Sequence, residues 1–173
     1  MLRVALVGHS QLPTNLLIEG TQISIFRAPG GKAISFFEDN RLSSILNWRG
    51  DVVIVWLGSN DIEINSNVAE IVNNLIHIKE SIEKECGAKV IITLLEPRCY
   101  PNDYPVHQTQ YAKIQKGVNR KLERKLPQTH FIKVNTPCFQ QLLSHDGVHF
   151  TFEGRQFIEN IIKENIADYL AAC

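Results

Sequence analysis

The chain moves between two rhythms: short runs in which nearly every position is apolar, and longer stretches in which apolar residues recur every three or four positions. Leu2 to Val7 and Asp51 to Leu57 (DVVIVWL) are the clearest runs. Their unbroken Val, Ile and Leu content is the pattern of strands buried on both faces of a parallel sheet, not the alternation of a half-solvated one. Gln22 to Phe26, Ala88 to Leu95 and Thr129 to Val134 complete five predicted strands. Between the last four, Val68, Ile71, Val72, Leu75, Ile78 and Ile82 set one apolar stripe within a helix over Asn67 to Cys86, with Gly87 placed as its cap. Tyr111, Ile114, Val118, Leu122 and Leu126 set another over Tyr111 to Leu126. Further helices are predicted over Leu12 to Glu19, which carries Pro13, over Ile34 to Trp48, and over Phe152 to Ala171.

Strands alternating with helices imply right-handed crossovers and a parallel sheet covered on both faces. The expectation is a single α/β domain over residues 1–173, a three-layer flavodoxin-like sandwich with strand order 2-1-3-4-5. Ligands of such sheets lie beyond the carboxyl ends of the strands, so the residues that follow each strand are the ones to inspect for chemistry.

At 173 residues the chain buries about 70 % of its unfolded surface without needing disulfide staples. Lys plus Arg and Asp plus Glu number 18 each, so no whole-molecule field draws the protein to nucleic acid or an anionic membrane. One local exception is the helix 111–126, whose outer faces carry Lys113, Lys116, Arg120, Lys121, Arg124 and Lys125 against Glu123. That is a solvated face or a phosphate-binding stripe. Cys86, Cys99, Cys138 and Cys173 are widely spaced, which fits reduced thiols. The amino terminus enters a core strand with no leader pattern, and no apolar run approaches the roughly 18 residues of a membrane span. The expected setting is therefore cytoplasmic, as a free protein or as a domain of a longer one. No membrane partner and no cofactor are expected. No H-E-x-x-H occurs, and two candidate ligands do not make a metal site, so no metal is expected either.

Gly8-His9-Ser10 closes the first strand, with Gly8 expected to let the backbone turn sharply. Ser10 there is either the N-cap of the following helix or a nucleophile. Pro29-Gly30-Gly31 follows the second strand, as a turn with positive φ or as a place where backbone approaches a ligand. Gly58-Ser59-Asn60-Asp61 follows the third, as a turn or as a device that aims the Asn60 amide into the crevice. His145-Asp146-Gly147-Val148-His149 follows the fifth. All four segments fall on one sheet edge. A serine attacks an acyl carbon only when a base takes its proton and an acid holds that base, parts that His149 and Asp146 suit. Donors for the oxyanion would be the Ser10 N–H, a glycine N–H and the Asn60 amide.

These motifs, in this order, resemble those of the SGNH (GDSL-type) hydrolases, named for their Ser, Gly, Asn and His. The likeness spans nearly the whole chain, with Gly154 placed after the histidine as in that family. It implies Ser10 as nucleophile, Gly31 and Asn60 as oxyanion donors beside the Ser10 N–H, His149 as base and Asp146 as its orienting acid, with Gly30 as the substitute for Gly31. His9 stands where the family pattern has Asp, so the contacts beside the nucleophile must be made differently. The activity so implied is hydrolysis of a small, acetyl-type ester through an acyl-enzyme. The alternative is a non-catalytic module of the same fold that binds RNA or protein through the basic helix 111–126. The proline-broken loop Glu96 to Gln108 is expected to shape the substrate pocket, with Tyr100 and Tyr104 as its contact surface. Oligomeric state is not legible in the sequence.

Overall fold

The computed structural model describes residues 1–99, 106–134 and 136–171. Five parallel strands, β1 (Leu2–Gly8), β2 (Thr21–Arg27), β3 (Val52–Trp56), β4 (Lys89–Thr93) and β5 (Phe131–Ile132), form one sheet in the order β2-β1-β3-β4-β5. This is the predicted doubly wound order. The alternation of side chains along β1 and β3 explains why both needed to be apolar throughout. Ala5, Val7, Val53 and Val55 face a core closed by the helices α2 (Val68–Cys86) and α3 (Gln108–Lys125). Val4, Leu6, Ile54 and Trp56 face the opposite core, closed by Leu12, Leu16, Phe139 and the helix α4 (Phe152–Ala171). The three layers follow from that division.

Local signals fix the ends of α2. The Asn67 side chain accepts from the Ala69 N–H at 2.8 Å, and Gly87 adopts φ 68° while its N–H caps Glu83 O. No helix among the described residues is long and apolar enough to cross a membrane.

Three local expectations are corrected. Residues 12–19 form turns and extended chain instead of a helix. The Leu12 N–H does reach His9 O at 3.2 Å, but Pro13 has no N–H with which to continue the ladder, and Leu12 and Leu16 are buried without helical backbone. The helix expected over Ile34 to Trp48 is confined to a short α1 (Asn40–Ser43) and a 3-10 turn, Ser44–Asn47. Asp39 is responsible: at φ −87° and ψ 106° it leaves helical space and caps the Arg41 N–H at 2.9 Å, so the helix begins only after it.

The third correction concerns Gly8, which lies inside β1, paired with Trp56 and Arg27, and not at a sharp turn. What excludes a side chain is the neighbouring strand, since a Cβ on Gly8 would sit 2.3 Å from Trp56 O. Gly20, by contrast, has φ 76° and open space around the position of a Cβ. Gly8→Ala is therefore expected to cost about 3 kcal/mol, against about 1 kcal/mol for Gly20→Ala. Urea unfolding of the two variants checks this ranking, and equal losses would contradict it.

Candidate active site

The loop between β5 and α4 is folded so that two of its side chains meet. Leu143 and Phe150 form an antiparallel bridge, the Ser144 N–H donates to His149 O at 2.7 Å, and Gly147 turns at φ 67° with its N–H on Ser144 O. Asp146 is thereby held at the centre of a small cradle. Its Oδ1 accepts from the Ser144 hydroxyl at 2.8 Å and from the Val148 and His149 N–H groups at 2.9 Å each. Its Oδ2 lies 2.6 Å from His149 Nδ1. Burial pushes this carboxyl up, but the His149 ring, the two backbone N–H groups and the Ser144 hydroxyl outweigh it and hold Asp146 far below the usual carboxylate range. With Asp146 ionised, Nδ1 is the ring nitrogen that carries the proton. The Nε2 lone pair then faces Ser10 Oγ at 3.4 Å.

Ser10 reaches that position because the backbone around it is tied on three sides. Arg27 donates to Ser10 O at 2.8 Å, the Gln11 side-chain amide donates to Val148 O, and the Gln11 N–H lies on His9 Nδ1 at 3.3 Å. Gln11 thus links the Ser10 turn directly to the His149 loop. The Cys99 N–H adds a second link to that loop, on Gly147 O at 2.8 Å. Since no helix follows Ser10, its alternative reading as an N-cap has no helix to serve.

Asn60 sits on a 3-10 turn, Ser59–Asp61, that leaves β3 through Gly58 at φ 108°. Its Nδ2 donates to Gly31 O at 3.0 Å, and its Oδ1 accepts from Arg98 at 2.8 Å. One Nδ2 hydrogen is left over. Asp61 also works through the second-strand loop, accepting from the Ala33 and Ile34 N–H groups at 2.8 and 2.9 Å. A cavity of about 630 Å³ opens beside Asn60, Asp61 and Arg98, with Lys32, Glu70 and Asn74 around it.

The structure gives Gly31 a different part from the one expected of it. Its N–H closes a turn on Ala28 O at 2.8 Å, with Pro29 and Gly30 at the two central positions and Gly30 at φ 72°, the arrangement of a type II turn. Gly31 therefore enters the site through its carbonyl. A Cβ there would lie 2.8 Å from Ala28 O, so glycine is required for packing. Gly30 is solvent-exposed, and its N–H has no partner among the described residues. Gly154, in the first turn of α4, is likewise explained by contact, since a Cβ there would meet Leu142 O at 2.3 Å. Tyr100 and Tyr104 lie outside the described residues.

Behind the exposed groups is a buried network that no sequence motif announced. Glu96 is fully buried and accepts from Trp56 Nε1 at 2.8 Å and from the Ser59 hydroxyl at 2.6 Å. Arg98, also buried, lies 3.4 Å from its other oxygen. His9 occupies the remaining side, Nε2 3.7 Å from Glu96 Oε1 and its ring edge-on to Trp56. This is how the contacts beside Ser10 are made without an aspartate at position 9. The available signal was two opposite charges flanking Pro97 at the carboxyl end of a core strand. Among the described residues no three His, Cys, Asp or Glu side chains gather where they could hold a metal ion.

No family model matches the chain. The fold is that of several solved hydrolases. A carbohydrate esterase family 3 protein from Talaromyces cellulolyticus superposes with a TM-score of 0.76 at 16 % identity, covering 100 % of both chains. A lipase/acylhydrolase from Enterococcus faecalis gives 0.73 at 19 % identity, over 96 % of this chain and 95 % of that one. A carbohydrate acetylesterase from Sinorhizobium meliloti gives 0.70 at 16 %, over 98 % and 100 %. In sequence, 136 residues are 28 % identical to a protein of Acetivibrio thermocellus named "Putative endoglucanase X". The match covers 75 % of this chain and 58 % of that protein, so the chain spans less than two thirds of that relative's length.

Burial lowers the His9 pKa to about 4. An unfolded histidine titrates near 6.5, so between these values the unfolded chain binds a proton that the folded one refuses. His9 therefore leaves stability intact above about pH 6.5 and lowers it as pH falls toward about 4. Between about pH 7 and pH 5 this amounts to about 2 kcal/mol. Urea unfolding at those two values should show this loss in the wild type and a smaller one in His9→Gln. Equal losses in both proteins would assign the proton uptake to another group.

Proposed function

We propose that this chain, which has the fold of the SGNH (GDSL-type) hydrolases, is a serine esterase that cleaves a small acyl group through an acyl-enzyme on Ser10. The observation that carries this reading is the continuous line from Ser10 Oγ to His149 Nε2, and from His149 Nδ1 to Asp146 Oδ2. His149 takes the hydroxyl proton as Ser10 attacks the acyl carbon, and the strongly ionised Asp146 stabilises the imidazolium that results. The carbonyl oxygen acquires negative charge in that step. The Ser10 N–H and the remaining Asn60 Nδ2 hydrogen are the donors that would receive it, placed before the reaction begins. Collapse of the tetrahedral intermediate expels the alcohol, which takes its proton from His149. Water then repeats the sequence on the acyl-enzyme and restores Ser10.

An acetyl ester is the substrate this reading favours. The solved structures of like fold include a carbohydrate acetylesterase and an acetyl xylan esterase. The cavity beside Asn60 carries Lys32, Asp61, Glu70, Asn74 and Arg98, which can hydrogen-bond a polyhydroxylated leaving group, between the apolar side chains of Ile34, Ile62, Ile64, Ile71 and Val106. A module that only bound RNA or protein would have no use for the Asp146–His149 bond or for the approach of His149 to Ser10. The basic residues of α3 then read as a solvated face, where Lys125 already bonds Asn73 and Glu123 pairs with Lys133.

Two substitutions test the assignment. Ser10→Ala should abolish p-nitrophenyl acetate hydrolysis and labelling by a fluorophosphonate probe while leaving the unfolding midpoint unchanged. Wild-type turnover in that variant would remove Ser10 from the chemistry. Asn60→Ala should lower kcat by about 10²–10³ with little change in KM, because its donated bond counts mainly in the transition state. A change in KM alone would move Asn60 to substrate binding.

A further inference from the structure

Asn60 poses a problem that the hydrolytic reading leaves unsolved. A carboxamide is nearly symmetric in shape, and turned over it would present a carbonyl oxygen to the developing oxyanion instead of an N–H. Something must decide which end faces the substrate. Two contacts do so: Nδ2 donates to Gly31 O at 3.0 Å, and Arg98 Nη2 donates to Asn60 Oδ1 at 2.8 Å. An arginine cannot accept a hydrogen bond, so only an oxygen can stand opposite it. The flipped amide would also set its oxygen against Gly31 O.

The guanidinium needs its own support, because a buried cation without a counter-charge is costly. Arg98 is 4 % exposed and Glu96 is 0 % exposed, their charged atoms 3.4 Å apart. Trp56 and Ser59 hold Glu96 in place by hydrogen bonds. The Arg98 guanidinium also rests over the ring of Tyr111, 5.6 Å from its centroid, and the Tyr111 hydroxyl donates to Glu96 O at 3.0 Å. The guanidinium is thus held by Asn60 and Glu96 at Nη2 and by the Tyr111 ring below its plane.

We propose that Arg98, held by the buried carboxylate of Glu96, is the positioning residue that orients and polarises the Asn60 amide for the oxyanion. A cation on Oδ1 draws electron density out of the amide and makes the free Nδ2–H a stronger donor. The effect is felt where negative charge develops on the substrate, and so in kcat more than in KM. This inference rests on the esterase reading of Ser10 and Asn60, and its test separates the two.

Removing Arg98 alone would strand the Glu96 charge, so the variant of choice is the neutral pair Glu96→Gln/Arg98→Gln. The carboxamide introduced by Glu96→Gln keeps an oxygen for Trp56 and Ser59. On p-nitrophenyl acetate the pair should lower kcat by about 10–10² with KM changed by less than about threefold. In an Asn60→Ala background the same pair should lower kcat by less than about threefold, since the amide it acts through is gone. Equal losses in the two backgrounds, or no loss in the first, would overturn the proposal and leave Arg98 a packing residue. A second measurement needs no folded variant of the pair: in ¹⁵N-labelled wild type, with the two Asn60 side-chain protons assigned by their absence from Asn60→Ala, the proton bonded to Gly31 O should exchange with solvent much more slowly than the one left free. Two Asn60 protons exchanging equally fast would overturn the proposal. A wild type that neither hydrolyses the ester nor reacts with a fluorophosphonate would strike the esterase reading instead, while the amide signals would still report on the Arg98 contact.

Discussion

A single buried carboxylate organises the carboxyl edge of this sheet. Glu96 stands just beyond β4, has no access to solvent, and gathers Trp56 from the end of β3, Ser59 from the turn after it, His9 from beyond β1, and Arg98 from its own loop. Burial pushes such a group up, and it stays charged only because its partners outweigh that cost. Here His9, once acid protonates it, the Arg98 guanidinium and the Ser59 and Trp56 donors hold Glu96 below the usual carboxylate range. Trp56 and Ser59 need an acceptor oxygen at that point, and Arg98 needs a counter-charge. The strand ends that carry Ser10 and Asn60 therefore meet behind the cleft as well as in the sheet, with His9 resting beside the carboxylate that Ser59 bonds.

That arrangement separates two kinds of work. Asp146 and His149 sit on the solvent side, at 39 % and 56 % side-chain exposure, where a proton can be exchanged and a substrate can arrive. Their geometry is maintained locally by the loop's own hydrogen bonds, and its attachment to the rest is made by Gln11 and Cys99. The Asn60 side is built the opposite way, its orientation set by buried charges. Donors aimed in advance and shielded from water act on developing charge without reorganising. The same shielding is what makes an unpaired group there costly. His9 fits this division: too deeply buried to hold a proton at neutral pH, it serves as an uncharged wall against Trp56 and as the acceptor for the Gln11 N–H.

Much of this was legible in the residues themselves, and the exceptions are instructive. The strand order follows from apolar runs separated by helical periodicity, and α2, α3 and α4 lie close to their predicted bounds because each carries a long stripe and, in α2, explicit caps. The helices expected after β1 and β2 were misjudged because single residues override a weak pattern: Pro13 stops one, and Asp39 delays the other. Ser10, Asp146 and His149 come within reach of one another because the motifs that suggested them follow strands that end on one edge. Gly31 was assigned a donor role by resemblance alone, yet its N–H is committed to the turn that Pro29 and Gly30 dictate. The Glu96–Arg98–Asn60 chain was not legible, since its bonds join residues 37 to 40 positions apart or pass through a segment that reads only as a loop.

In the proposed reaction Ser10 carries the acyl group between two half-reactions. Mixing the protein with excess p-nitrophenyl acetate, quenching in acid within the first turnovers and mapping the peptides by mass spectrometry addresses it directly. The acetyl group should be found on the peptide that contains Ser10, on the hydroxyl of that residue, and should disappear as substrate is exhausted. An acetyl group found stably on a lysine or on His149 with Ser10 unmodified, during undiminished turnover, would contradict it.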